Sequence, residues 1–111
     1  MKRLTFAERA ELLKRLDKEC DDILNAKGPG YTLEGLANDN FWREGAELGL
    51  RPEQTLAVHA SKHENSIKNY IKNNGEVPDP EPIEMRIKDR INYLRILWSL
   101  FVEQERIKIG E

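Results

Sequence analysis

The sequence predicts an all-α domain, three long helices and one short helix in a compact bundle with no sheet. Three observations carry that expectation. Apolar residues recur at three- and four-residue spacing through most of the chain. Period-two alternation is absent and valine occurs only three times, so the usual strand signature is missing. Glycine and proline punctuate the chain at KGPG, GLRP and NNGEVPDPEP, and these stops divide it into helix-sized lengths. At 111 residues the chain is one domain, 1–111, with a small core.

The first helix is expected over 5–27. Thr5 is its cap, and Glu8 three residues later completes a capping box. At about 100° per residue, Leu12, Leu13, Leu16, Cys20, Ile23 and Leu24 share one face. Gly28 in KGPG is the expected left-handed terminator. YTLEGLANDN then reads as a loop. A short helix over 38–48 follows, anchored by Phe41, Trp42 and Leu48 and ended by Gly49. Pro52 suits the first turn of the third helix, 52–73, whose apolar side carries Leu56, Ala60, Ile67, Tyr70 and Ile71. NNGEVPDPEP is an extended connection, because its prolines restrict both themselves and the residues before them.

The last helix is expected over 82–108. Ile83, Ile87, Ile91, Leu94, Trp98 and Phe101 form one apolar stripe, with Ile96, Leu97 and Leu100 in a second beside it. Only Glu84, Lys88, Asn92, Arg95, Ser99 and Glu103 gather on a polar side. So wide an apolar arc predicts a helix sandwiched between others or buried between copies of the chain. Bundles this small often complete their core with a second copy, so a homo-oligomer is the expected state.

Arg86, Asp89, Arg90 and Tyr93 fall inside that arc, where charges are costly unless paired. They read either as an internal salt-bridge network or as the wall of a polar pocket between the third and fourth helices. His63 lies mid-way across the apolar side of the third helix, and His59 at its edge. A histidine there is most often a core imidazole with one partner, and less often a ligand contact or proton shuttle. Metal binding by the pair is the weakest reading, since HASKH lacks the metalloprotease glutamate.

Acids three apart on a helix can clasp Mg²⁺, but twenty acids in 111 residues make such pairs expected by chance. Glu19 and Asp22 are the best-placed pair, and Glu84 follows Glu81 at a helix start. Cys20 reads as a core thiol, and as the single cysteine it excludes an intrachain disulfide. Lys27 could meet a phosphate, although a cation at a helix C-terminus is explained by the dipole alone. Net charge −2 and pI near 5.8 argue against an extended nucleic-acid surface. No signal core or bilayer-length apolar run is visible, so a soluble cytoplasmic protein is expected.

The ordered motifs KGPGY, NFWR, LGLRPEQ, SKHENSIKNYIK and EPIEMRIKDRINYLRIL resemble a family of small all-α phage and prophage proteins, the nucleotide-modification-associated domain family. They are more distantly similar to MazG-like NTP pyrophosphatases. The resemblance covers roughly residues 16–102 and rests on motif order and on DRINY. It implies a helical bundle, a bacterial host cell and a link to nucleotides. By position it points to Lys27, Tyr31, Asn40, Lys62, His63, Glu84, Arg86, Asp89, Asn92 and Tyr93. Gly30 stands where the family tends to carry an acid, which weakens an inference of metal-dependent hydrolysis.

Three functions follow as expectations. The first is a binding protein for a nucleotide or other phosphorylated small molecule. Lys27, Lys62 and Arg86 would meet phosphate, Tyr31 or Tyr93 would stack the base, and His63 with Asp89 would fix orientation. The second is a Mg²⁺-dependent nucleotide pyrophosphohydrolase using Glu19, Asp22, Glu84 and Asp89. The third is a helical interaction protein that grips a host protein.

Overall fold

A computed structural model describes residues 1–27 and 35–110. Four helices follow one another: α1 (Phe6–Lys27), α2 (Asp39–Leu48), α3 (Pro52–Lys72) and α4 (Ile83–Glu103). No strand occurs among the described residues. The expected terminator Gly28 and the candidate Tyr31 lie outside them, as does the side chain of Lys27.

The helix ends show how local chemistry sets the boundaries. At α1 the capping box is formed in both directions. The Glu8 N–H donates to Thr5 Oγ1 at 3.1 Å, and the Thr5 N–H donates to Glu8 Oε1 at 3.0 Å. Gly49, at φ 71°, ends α2, and the Leu50 N–H returns to the Gly45 carbonyl at 2.8 Å. α3 ends through Asn74 at φ 52°, with the Gly75 N–H on the Tyr70 carbonyl at 2.9 Å.

α4 stops at Glu103 rather than at residue 108. Glu105 takes the left-handed conformation at φ 60°, and the Arg106 N–H reaches the Phe101 carbonyl at 2.8 Å. That closure resembles the one after α3, but a glutamate fills the position glycine usually holds. The chain beyond α4 then folds back on α3. Gln104 Nε2 donates to Glu53 Oε1 at 3.0 Å, and Arg106 pairs with Glu53 at 3.3 Å.

α4 is the centre of the packing, and each of its sides meets something different. Leu100 packs with Phe41, Leu56 and Ala60 in the buried core, flanked by Tyr93, Ile96 and Leu97. This is the second apolar stripe expected from the sequence, and it lies between α4 and α3. α2 closes the end of the core and approaches α3 through Gly45. A Cβ there would sit 2.6 Å from the Leu50 carbonyl oxygen.

The polar side of α4 is a docking face. Asn92 is buried and donates to the Cys20 carbonyl on α1 at 3.0 Å. Lys88 pairs with Glu19 at 2.8 Å, and Arg95 with Asp21. Asn38, also buried, donates to Ser99 Oγ at 2.9 Å and Glu103 Oε1 at 2.7 Å. The first apolar stripe, by contrast, keeps Ile87, Leu94 and Trp98 exposed. No helix of the described structure is long and apolar enough to cross a membrane.

Two substitutions separate the roles of these faces. Leu100 is fully buried, so Leu100→Ala should cost about 2–5 kcal/mol by lost burial and residual cavity. Asn92→Ala removes a buried amide that donates to the Cys20 carbonyl and accepts from Arg95, and should cost about 1–3 kcal/mol. Urea denaturation followed by circular dichroism reads both.

Candidate functional site

The two histidines, one helical turn apart, look toward different neighbours. His59 Nε2 lies 2.9 Å from Glu44 on α2, and its ring meets Phe41 edge-on at 6.3 Å. It is half-exposed. His63, at 4% exposure, faces α4 instead. The pair therefore does not converge on one ion.

Around His63 the expected groups do come together. Arg86 Nη1 donates to His63 Nδ1 at 3.2 Å, and Asp89 Oδ2 lies 3.7 Å from the same nitrogen. The Tyr93 ring is 5.6 Å from the imidazole, tilted by 32°. A guanidinium has no acceptor to offer, so Nδ1 must be the unprotonated nitrogen and the ring proton sits on Nε2. Burial agrees with a neutral ring. It pushes the His63 pKa below 6.5, against the opposing pull of Asp89.

Two acids that sequence reasoning missed complete the cluster. Asp79 Oδ1 accepts from Arg86 Nη2 at 2.9 Å and from Nε at 3.3 Å. Glu81 Oε2 lies 3.4 Å from Nη1. Both belong to the proline-rich connection between α3 and α4. The local signal was an Asx turn. Asp79 Oδ1 also accepts the Glu81 N–H at 2.9 Å, a geometry favoured in D-P sequences. Arg86, followed by that N–H, holds the Asp79 carboxyl below the usual carboxylate range.

The polar groups thus face one another across the α3–α4 contact. A groove of about 170 Å³ on the α3–α4 surface is lined by Leu56, Ala57, Ala60 and Leu97 with Glu53, Ser61, Glu64 and Arg90, and none of His63, Arg86, Asp89 or Tyr93 lines it. Arg90 pairs with Glu64 across it at 3.2 Å. Within the cluster, three carboxylates (Asp79, Glu81, Asp89) face one guanidinium and a neutral imidazole. The balance is three minus one, or two negative charges. Such a site favours a cation over a bare anion. His63, Glu81 and Asp89 each offer a ligand atom, all within 4.8 Å of one another. No other such group occurs among the described residues.

The remaining candidates lie elsewhere. Lys62 is exposed beside His63, and its charge helps lower the imidazole pKa. Asn40 opens α2, whose N-terminal end docks at Ser99, thirteen residues and so about 20 Å along α4 from Arg86. Asn38 is the buried asparagine of that segment. Glu19 and Glu84 do converge, but onto the ammonium of Lys88, at 2.8 and 4.0 Å. Lys88 holds Glu19 below the usual carboxylate range. Asp22 pairs with Lys18 at 3.1 Å. Those three acids already have an ammonium partner, which is an ion-pair arrangement and not a metal clasp. Cys20 is fully buried, and burial pushes its thiol up, so it is no nucleophile.

No family model, characterised protein or solved structure matches the chain.

The cluster carries a pH signature. The folded His63 pKa is below 6.5, so as pH falls the unfolded chain takes up the proton first. Stability is complete above about pH 6.5 and declines beneath it. Asp79 adds a second loss below its ordinary value of 3.8. His63→Gln should flatten the fall in urea midpoint between about pH 6.5 and 4.5 and leave the steeper acid limb in place.

Proposed function

We propose that this chain binds a nucleotide or similar phosphorylated small molecule in company with a divalent cation, at the centre formed by His63, Arg86, Asp89 and Tyr93. The observation that carries the reading is the meeting of an oxygen-rich donor set with a buried guanidinium. Glu81 and Asp89 suit a hard divalent cation such as Mg²⁺, and His63 joins them when its Nδ1 lone pair turns from Arg86 to the cation. Arg86 offers a planar fork whose present acceptor is a carboxylate of the connection, and phosphate oxygens suit the same fork. The Tyr93 ring lies beside the imidazole, 5.6 Å between centroids.

Charge decides the form of the ligand. Two uncompensated negative charges oppose a bare polyphosphate, whereas a cation-bound one brings its own neutralisation. Lys62 stands beside the cluster as a further phosphate contact. A phage or prophage setting in the host cytoplasm belongs to this proposal through the family resemblance alone.

A second reading is Mg²⁺-dependent pyrophosphohydrolysis, favoured by the same donor trio. The acids would then be Glu81 and Asp89 with His63, in place of Glu19, Asp22 and Glu84.

Calorimetry with nucleoside mono-, di- and triphosphates tests the binding reading. Heat should appear only with Mg²⁺ or Mn²⁺ present, and Asp89→Asn or Tyr93→Leu should weaken affinity at least about tenfold. Silence from every nucleotide at millimolar concentration, with and without metal, refutes it. Pyrophosphate release from an NTP at a rate abolished by Asp89→Asn would select the hydrolase.

A further inference from the structure

The exposed apolar surface points to a second inference, independent of the ligand. We infer that α4 and the N-terminal half of α1 form an interface with a second copy of this chain, making an isologous dimer.

The first ground is area. The chain exposes 8582 Å². A self-contained monomer of 12.9 kDa exposes about 6,300 Å². The excess, about 2,300 Å², exceeds the roughly 800 Å² per partner of a standard interface and lies within the range of obligate dimers. The connection and the C-terminal tail supply part of it. The radius of gyration agrees, at 16.4 Å against about 13 Å for a compact chain of this length.

The second ground is where the excess lies. Ile87, Leu94 and Trp98 form one strip along α4, exposed by 39, 47 and 52%. Ile83, Ile91 and Phe101 continue it, half-buried. On α1 the face that buries Cys20 runs on toward the N-terminus through Leu13, Leu12 and Phe6, at 49, 44 and 83% exposure. Only the C-terminal half of that face is covered by α4.

The third ground selects the occupant. α4 has turned its hydrogen-bonding side inward, against α1 and Asn38, and left an oily side outward. For an isolated chain that arrangement runs against the hydrophobic effect. One chain carries both strips, so a two-fold pairing covers each with like surface from the other copy.

Light scattering coupled to size exclusion, at tens of micromolar, tests this. The expected mass is twice 12.9 kDa. Leu94→Glu with Trp98→Glu, and separately Leu12→Glu with Leu13→Glu, should each halve the mass while the helical circular dichroism persists. Val58→Glu, on exposed α3 surface outside both strips, should leave the dimer intact. If a charge pair unfolds the chain, the red shift of wild-type tryptophan emission on dilution provides the second measurement. A wild-type monomer, whether or not it captures another protein, overturns the inference. So does a dimer that survives Leu94→Glu with Trp98→Glu. Nucleotide affinity does not enter either outcome.

Discussion

The guanidinium of Arg86 is nine-tenths buried between α3 and α4, and a charge in that position persists only when its partners are buried with it. Meeting that condition organises half of the molecule. The connection after α3 must run back over the helix pair so that Asp79 and Glu81 reach the guanidinium. Its prolines keep it extended enough to do so. His63 must stay neutral so that Nδ1 can accept from Arg86. The cluster is therefore a structural clamp and a polyvalent polar site at once. The same carboxylates that neutralise Arg86 leave the cluster negative.

The other half is organised by a different economy. α1 and the start of α2 attach to α4 through amides and ion pairs, while the longer apolar strips of α1 and α4 stay uncovered. Asn92, Asn38 and Lys88 satisfy one another's neighbours across those contacts. Each link is individually modest, and exposed ion pairs such as Lys18–Asp22 add little. The consequence is a monomer whose oily strips remain uncovered. The proposed interface and the proposed ligand site draw on different sides of α4, since Asp89 and Tyr93 face α3 while Leu94 and Trp98 are exposed.

Much of the fold was legible in the residues. The T-x-x-E signal specified the start of α1, because a capping box is a purely local pair of hydrogen bonds. Gly49 and Pro52 marked the α2–α3 turn for equally local reasons. The end of α4 was not legible, since Glu105 has no left-handed preference and takes that conformation where the following chain turns back toward Glu53. On the site, helical projection brought His63, Arg86, Asp89 and Tyr93 together correctly, because residues on facing sides of adjacent helices must meet. It could not place Asp79 and Glu81, whose position depends on the path of a connection; the family resemblance pointed to Asn40, and the buried amide of that segment is Asn38.

Sequence by itself determined the four helices, their limits to within a few residues at most ends, and which residues share each face. These follow from spacing, caps and breakers, all of which act within a few residues. Tertiary structure alone decided which face of α4 is inside. A polar stripe reads the same whether water or another helix satisfies it, because Asn92 and Lys88 accept either partner. An apolar stripe likewise reads the same whether its own chain or a second copy covers it. Hydrogen bonding and burial are settled between elements, and no local pattern records which neighbour arrives.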